Sequence, residues 1–441
     1  MSSLAFRAAR VAVAALVVSL IWTVAMAAAL TPAEARMVAT IEADHERNVQ
    51  VLHDLVLVNS GTQNLKGVEQ VGAMLRPLFE ALGFTVRWIP MTHAGRAGHL
   101  VAEHRGNGRG KRLLLIGHLD TVFEPDSPFQ GWKRTGDIVE GPGVGDMKGG
   151  DVIMLAALKA MQAAGTLKDA DIVVVLTGDE ESPGSPLSVA RADLIEAGRR
   201  SDVALDFEGL QREGGRDIGS IARRSSTSWT ITARARSGHS SGVCKPQVGC
   251  GAIYELTRIL DAFRRELAEK DLTYNVGMIL GGSSMALNAG ETGGTATGKP
   301  NVIASDAMAR GDIRTLSPEQ EARVRARMQA IVGQNLAHTE AALSFSDDGY
   351  PPMAPTAGNK ALLAQLNQVN AALGLPEMPA GDPANRGAGD ISFVAFIDGL
   401  VGLGMAGEGS HAAGETADLN SLDVQAKRAA LLMTRLSKAP R

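Results

Sequence analysis

The amino-acid sequence predicts an α/β protein in which a mostly parallel sheet flanked by helices is interrupted by a second, smaller unit. Three observations predict this. Apolar runs of strand length alternate with helical periodicity over the first half of the chain, the order changes near Ser220 to βαββαβ, and a helical pattern returns after Tyr350-Pro351-Pro352. At 441 residues the chain is also longer than one hydrophobic core usually holds. The expected organisation is a leader at 1–29, a larger domain in two parts at 30–219 and 351–441, and an insertion at 220–350.

The leader begins MSSLAFRAAR, with Arg7 and Arg10 and no acid, continues through the apolar VAVAALVVSLIWTVAMAAAL, and offers Ala25-Met26-Ala27 as a small-x-small cleavage pattern. It reads as a secretory signal, with an uncleaved membrane anchor as the alternative. Both place the folded part outside the cytoplasm, periplasmic or secreted.

Thr31 opens TPAE, a capping-box pattern, and one amphipathic periodicity continues through HERNVQVLHDLVLV, predicting a helix. A second helix, GVEQVGAMLRPLFEALG, ends at a glycine and leads into the strand FTVRWI. Next come the strand HLVAEH, the turn RGNGRG, the strand RLLLIGHL, a helix over 149–164 and the apolar strand DIVVVLTGDEE. The insertion reads as strand STSWTITARA, helix GAIYELTRILDAFRRELAE, strand TYNVGMILGG, strand NVIASDAMARGDIRT, helix SPEQEARVRARMQAIVG and strand AALSFSD. That order is ferredoxin-like, with a glycine-rich addition at GETGGTATG. NKALLAQLNQVNAALG then predicts a helix of the resumed domain.

Composition excludes several classes. The 44 basic residues against 48 acidic ones form no polyanion-binding excess, which argues against nucleic acid as a partner. Hydrophobic residues at 45% and charged residues at 21% are ordinary for a globular protein. The two cysteines, Cys244 and Cys250 in VCKPQVGC, fit either a disulfide closing a short loop or two free thiols. They lack the paired spacing of a structural zinc site.

The chemistry gathers at strand and loop ends. LLLIGHLDTV runs a buried strand into His118 and Asp120, and polar residues past the carboxyl end of such a strand lie where open α/β sheets bind ligands. Asp146 follows in GPGVGDMKGG, Glu180 and Glu181 in TGDEES, Glu208 in DVALDFEG, and His411 in GMAGEGSHAAGE. Any one alone is weak, since an Asp among glycines is usually a turn former and a DEE run a solvated end. Five segments offering the same nitrogen and oxygen donors suit Zn²⁺, Co²⁺ or Mn²⁺, and could hold two ions. The remaining histidines, His45, His53, His93, His99, His104 and His338, read as structural or solvated.

GHLDTV, GPGVGDMKGG, TGDEES, DFEG and the late GSH, in that order, resemble the M20 family of metallopeptidases, most closely its glutamate carboxypeptidase branch. The resemblance covers nearly the whole chain after the leader and implies a zinc-exopeptidase-like α/β domain with an inserted lid or dimerisation domain. It implies two zinc ions per subunit bridged by Asp146, with His118 and Glu208 on one, Glu181 and His411 on the other. Asp206 is the alternative to Glu208. Glu180 would be the general base, and Asp120 the carboxylate that hydrogen-bonds His118 and fixes its tautomer.

From the inserted domain, the resemblance implies that His239 in RARSGHSSG reaches across a homodimer interface toward the oxyanion. Asn301 in GKPNVIAS and Arg314 in GDIRT would bind the substrate's free carboxylate, for which a guanidinium fork is suited. Without the resemblance these three read as a strand-end histidine, a turn asparagine and a solvated arginine. The sequence also departs from the family. A glycine-rich stretch with Ser or Thr before an aspartate appears here as NRGAGDISF, with Asp390 at the aspartate, the GETGGTATG insertion is long, and Arg223-Arg224 fit either a hinge ion pair or a carboxylate contact.

The implied activity is an exported dinuclear exopeptidase or amidohydrolase that releases a C-terminal amino acid, glutamate among the candidates, from a peptide or N-acyl amino acid. The alternatives are an N-acyl amino acid deacylase of acetylornithine or succinyl-diaminopimelate type, and a non-catalytic binding protein on the same fold.

Overall fold

The structure, a computed structural model, describes residues 29–441. The predicted leader, except its last residue, lies outside the described residues. Among them, no helix is long and apolar enough to cross a membrane.

The main sheet is built from β1 (Thr85–Pro90), β2 (Gly98–His104), β3 (Leu113–His118), β4 (Ile172–Thr177), β5 (Val203–Asp206) and, after the insertion, β10 (Asp398–Val401). Its order is β1-β2-β4-β3-β5-β10. β4, β3, β5 and β10 run parallel, whereas β2 is antiparallel to both β1 and β4. The sheet is therefore mixed, parallel in the four strands that end at the candidate site and antiparallel at β1 and β2. The link between β1 and β2 is too short for the crossover a parallel pair needs, so those two strands form a hairpin.

Helices cover both faces. α1 (Pro32–Ala43), α2 (His45–Val56), α3 (Leu65–Ala81), α4 (Lys148–Ala163) and the late α9 (Leu419–Leu436) bury one face of the sheet around Leu113, Leu115, Val174 and Leu205. α5 (Ala192–Arg199) packs on the other, over Leu114, Ile116, Val173 and Val175. Strands buried on both faces explain why LLLI and IVVVL show no alternation.

The first predicted helix is two. Thr31 does form the capping box with Glu34, but α1 ends at Asp44, whose N–H donates to both Thr40 O and Ile41 O. The Asp44 carboxylate is held by Lys159 Nζ of α4 at 2.6 Å. The hydrophobic period runs through this break, which is why the pattern alone does not reveal it.

The insertion comprises β6 (Thr227–Ala235), α6 (Ala252–Glu266), β7 (Thr273–Gly282), β8 (Asp306–Arg314), α7 (Pro318–Val332) and β9 (Thr339–Phe345). Its antiparallel sheet, ordered β7-β8-β6-β9, has the ferredoxin-like arrangement, with both helices packed on one face around Trp229, Ile231, Ile259, Phe263 and Met328. The glycine-rich addition forms a small hairpin, Ser284–Leu287 with Gly294–Thr297. Cys244 and Cys250 form a disulfide. After β9, α8 (Ala357–Ala372) returns the chain to β10.

The junction of the two units carries a buried ionic network. Arg191, fully buried, places Nη1 2.6 Å from Asp179 Oδ1 and donates from Nε to Asp390 Oδ1 at 2.7 Å and from Nη2 to Tyr350 Oη at 2.7 Å. Tyr350 Oη in turn donates to Glu180 O at 2.9 Å, and Thr177 Oγ1 to Asp390 Oδ2 at 2.6 Å. One guanidinium thus ties the end of β4, the loop before β10 and the exit from the insertion. Replacing one member leaves uncompensated buried charge, so Arg191→Met is expected to lower unfolding free energy by about 3–5 kcal/mol in urea denaturation. A loss below about 1 kcal/mol, the range of an exposed ion pair, would show the network to be dispensable.

Candidate metal centre

The parallel register delivers the site. His118 is level with Thr177 across β3 and β4, and Ile116 with Asp206 across β3 and β5. The turns after these three strands, carrying Asp120, Glu180-Glu181 and Glu208, therefore converge at one edge.

Asp120, fully buried, organises this edge. Its Oδ1 accepts from Glu180 N at 3.0 Å, and its Oδ2 from Glu181 N at 3.1 Å and Thr62 Oγ1 at 2.6 Å. His118 Nδ1 lies 3.1 Å from Asp120 O and 3.3 Å from Oδ1. With Nδ1 engaged, Nε2 is presented to the cavity.

Asp146 comes from the glycine-rich loop before α4, and the peptide linking it to Met147 is cis. Glu415, buried, holds this loop by accepting from Gly143 N at 3.1 Å, Gly145 N at 2.8 Å and Asp146 N at 2.9 Å. His411 sits in the loop between the short strands Gly407–Glu408 and Thr416–Asp418, at φ 65°. A non-glycine residue in that left-handed region costs about 1–3 kcal/mol and tends to persist where function demands the side chain's direction.

The donors meet. Asp146 Oδ1 is 3.2 Å from His118 Nε2, and Asp146 Oδ2 is 3.1 Å from His411 Nε2. Glu181 Oε2 is 3.0 Å from His411 Nε2 and Glu208 Oε1 is 3.6 Å from His118 Nε2. Donor atoms of His118, Asp146 and Glu181 lie within 4.8 Å of one another, as do those of His118, Glu180 and Glu208. Asp146, Glu180, Glu208 and His411 line a cavity of about 430 Å³. Asp206 lies behind them, accepting from Glu208 N at 3.0 Å.

The electrostatics are those of a cation site. Burial pulls the His118 imidazole down, but Asp120, Asp146 and Glu208 more than offset it, so its pKa stands well above the ordinary value. Hydrogen bonds donated to Asp146 and Glu181 raise His411 to about 11. Burial, then Glu208, pushes Glu180 well up, and burial raises Glu181 to about 6. Two imidazoles hold these carboxylates together only by taking protons. Divalent ions of borderline hardness suit the same mixed set, so the residues fit a metal centre.

The inserted residues are elsewhere. His239 is exposed, its Nδ1 accepting from Ser241 N at 3.2 Å, and neither it nor Asn301 or Arg314 lines the cavity. The fold does pair the first two: His239 bridges to Val302, and Ser240 N donates to Asn301 O at 2.9 Å. Arg314 Nε donates to Asp312 Oδ2 at 3.0 Å. The glycine-rich hairpin contributes nothing to the cavity lining. Of the arginine pair, Arg223 turns into the cavity, whereas Arg224 bonds Thr273 Oγ1 and Ala384 O outside it.

Sequence reasoning missed Glu415, Arg191 and Arg386, the last of which also lines the cavity. Glu415 follows His411 by four residues in a stretch already singled out, and this proximity was the one available signal. Arg386 lies in NRGAGDISF, likewise singled out, whereas Arg191 offered none.

The chain is similar to known peptidases and amidohydrolases. The profile of peptidase family M20/M25/M40 matches residues 114–435. Carboxypeptidase G2 of Pseudomonas sp. (strain RS-16) is 28% identical over 233 residues, which are 52% of this chain and 53% of that enzyme, so only about half of its length is spanned. The succinyl-diaminopimelate desuccinylase of Novosphingobium aromaticivorans is 28% identical over 369 residues, 79% of this chain and 88% of that one. A dinuclear metal-binding peptidase of the M20 family from Bacillus subtilis shares the fold, with a TM-score of 0.61 at 15% identity over 90% of this chain and 99% of that one. With its ordered motifs, its fold and a profile match over well more than half its length, the chain belongs to the M20/M25/M40 family of peptidases and related amidohydrolases.

Proposed function

We propose that the protein is a dinuclear zinc exopeptidase, active outside the cytoplasm, that releases a C-terminal amino acid from a peptide or N-acyl amino acid. The observation that carries the reading is the Asp146 carboxylate, with one oxygen at His118 Nε2 and the other at His411 Nε2. A carboxylate so placed would serve two ions, with His118 and Glu208 holding one and Glu181 and His411 the other. Of the relatives above, one is named a carboxypeptidase and the other a succinyl-diaminopimelate desuccinylase, which supports hydrolysis of this kind. The exported location is supported by the apolar leader and by the Cys244–Cys250 disulfide, since such bonds persist in oxidising compartments.

Two divalent ions held by these residues would supply Lewis acidity toward a water and the scissile carbonyl. The protein's own residues do the rest. Glu180, whose proton affinity is raised by burial and by Glu208, takes the proton of the attacking water and passes it to the leaving amine. Asp120 keeps His118 in the tautomer that presents Nε2. His239 serves the oxyanion from the partner subunit of a homodimer, a role supported by its exposure and its distance from its own chain's cavity. Asn301, beside it, and Arg314 take the free carboxylate of the substrate.

Release of free amino acid from dipeptides and N-acyl amino acids, assayed with and without a chelator, tests the reaction. Chelator-sensitive release is expected, and no release by protein carrying two ions would overturn the reading. Glu180→Gln is expected to keep its metal and lose about 10²–10⁴-fold in kcat, the usual contribution of a general base. Full activity in that variant would remove Glu180 from the role. His239→Ala is expected to lower kcat about 100-fold, as loss of an oxyanion donor does, with metal content unchanged. Kinetics identical to the parent would make His239 structural. Because neighbouring carboxylates raise the proton affinity of both His118 and His411 in the metal-free protein, zinc loading should release protons. Calorimetric titration in two buffers of different ionisation enthalpy measures that release, and an enthalpy independent of buffer would refute it.

A further inference from the structure

Two parts of the sequence take no share in this chemistry: Arg223, and the loop NRGAGDISF that departs from the resembling sequences. The structure brings them together. Arg223 and Arg386 line the same cavity as Asp146, Glu180, Glu208 and His411, so its lining carries guanidinium groups as well as acids.

The two arginines differ in what neutralises them. Arg223, 6% exposed, donates from Nε to Gly387 O at 2.7 Å, and its Nη1 lies 3.8 Å from Asp206 Oδ2 and 3.9 Å from Glu208 Oε2. The acids of the site therefore offset its charge. Arg386 has no such partner among the described residues. Its one side-chain bond runs from Nη2 to Gly209 O at 3.2 Å, and its Nε is buried with nothing to donate to. A guanidinium cannot relieve this by losing its proton, and a buried unmade hydrogen bond is costly. Burial and the like charge of Arg223 weigh against it, and the more distant Glu208, Asp206 and Asp146 offset this only in part. An anion, above all a carboxylate that accepts from a planar fork, would satisfy these donors.

The loop's composition serves the same arrangement. A Cβ on Gly389 would stand 2.3 Å from Arg223 Nη1, so neither Ser nor Thr fits where Arg223 crosses the loop. Arg223 in turn holds the carbonyl of Gly387, the residue after Arg386, and so fixes the stretch that carries Arg386 into the cavity.

We propose that Arg386 is a specificity-determining residue that binds a carboxylate on the acyl side of the substrate, so that the preferred substrates are amides of a dicarboxylic acid. This rests on the hydrolase reading above, which gives the carboxylate of the released amino acid to the inserted domain and leaves Arg386 for the acyl group.

The test uses N-succinyl-alanine and its uncharged near-isostere, N-succinamoyl-alanine. kcat/KM is measured on the zinc-loaded enzyme, and binding of the same pair is measured by calorimetry on zinc-loaded Glu180→Gln. The charged compound is expected to be favoured about tenfold or more, the scale of one charge-assisted hydrogen bond. The ratio should fall to about one in Arg386→Gln, recover in part in Arg386→Lys, and persist in Arg224→Gln. A ratio unchanged by Arg386→Gln, or no preference in either measurement, would overturn the proposal. If neither compound is hydrolysed but charge-selective binding is present and vanishes with Arg386→Gln, the anion site stands and the hydrolase reading falls.

Discussion

The site depends first on one buried carboxylate. Asp120 accepts hydrogen bonds from Thr62 and from the backbone of Glu180 and Glu181 while facing His118 Nδ1. Two N–H groups in a sharp turn after a strand have no ladder partner and would be costly if buried unpaired. Asp120 satisfies both with the same group that orients the imidazole. The position of three functional side chains is thereby reduced to one constraint, the register of β3 against β4. A carboxylate turned to backbone and to His118 thus sets the geometry of the candidate site.

A second carboxylate repeats the device. Glu415 gathers three backbone N–H groups of the loop carrying Asp146, from more than 260 residues away in sequence. Burial raises its pKa to about 7, against the pull of those same donors. Glu415 has both oxygens turned to backbone N–H groups, whereas Asp146, Glu180 and Glu208 line the cavity. The chain thus separates carboxylates that hold loops from carboxylates that face the cavity, and Asp206 beside Glu208 follows the same division.

What the sequence revealed follows from the range of the interactions involved. Strand ends were legible because a run such as LLLI is read locally and whatever follows it must lie at the sheet's edge. The ferredoxin-like order of the insertion was legible because each element carries its own periodicity. The break at Asp44 was not, since α1 and α2 share one hydrophobic phase and a salt bridge from Lys159 marks the joint. Nor were α5 and α9 marked, or the antiparallel end of the sheet, because direction depends on how a link is routed. Glu415, Arg191 and Arg386 act on groups distant in sequence, and a single buried charge leaves no local pattern. The cysteine spacing permitted both thiols and a disulfide, and only the folding of the loop after His239 decided between them.

The distribution of roles between the two units has a physical logic. Groups that must agree within fractions of an ångström, His118, Asp146, Glu180, Glu181 and Glu208, all issue from the rigid sheet or from loops clamped to it, and a buried network through Arg191 and Tyr350 stiffens the same edge. His239 and Asn301 instead share a bridge within the insertion, so any movement of that unit carries them as a pair. Arg223, at the first step into the insertion, contacts both the loop of Arg386 and the acids of the centre. It lies where displacement of the insertion would be felt by the cavity. Preorganised charge belongs on the immobile part because its value comes from needing no rearrangement during reaction. Groups that admit substrate and then enclose it belong on the part that can turn.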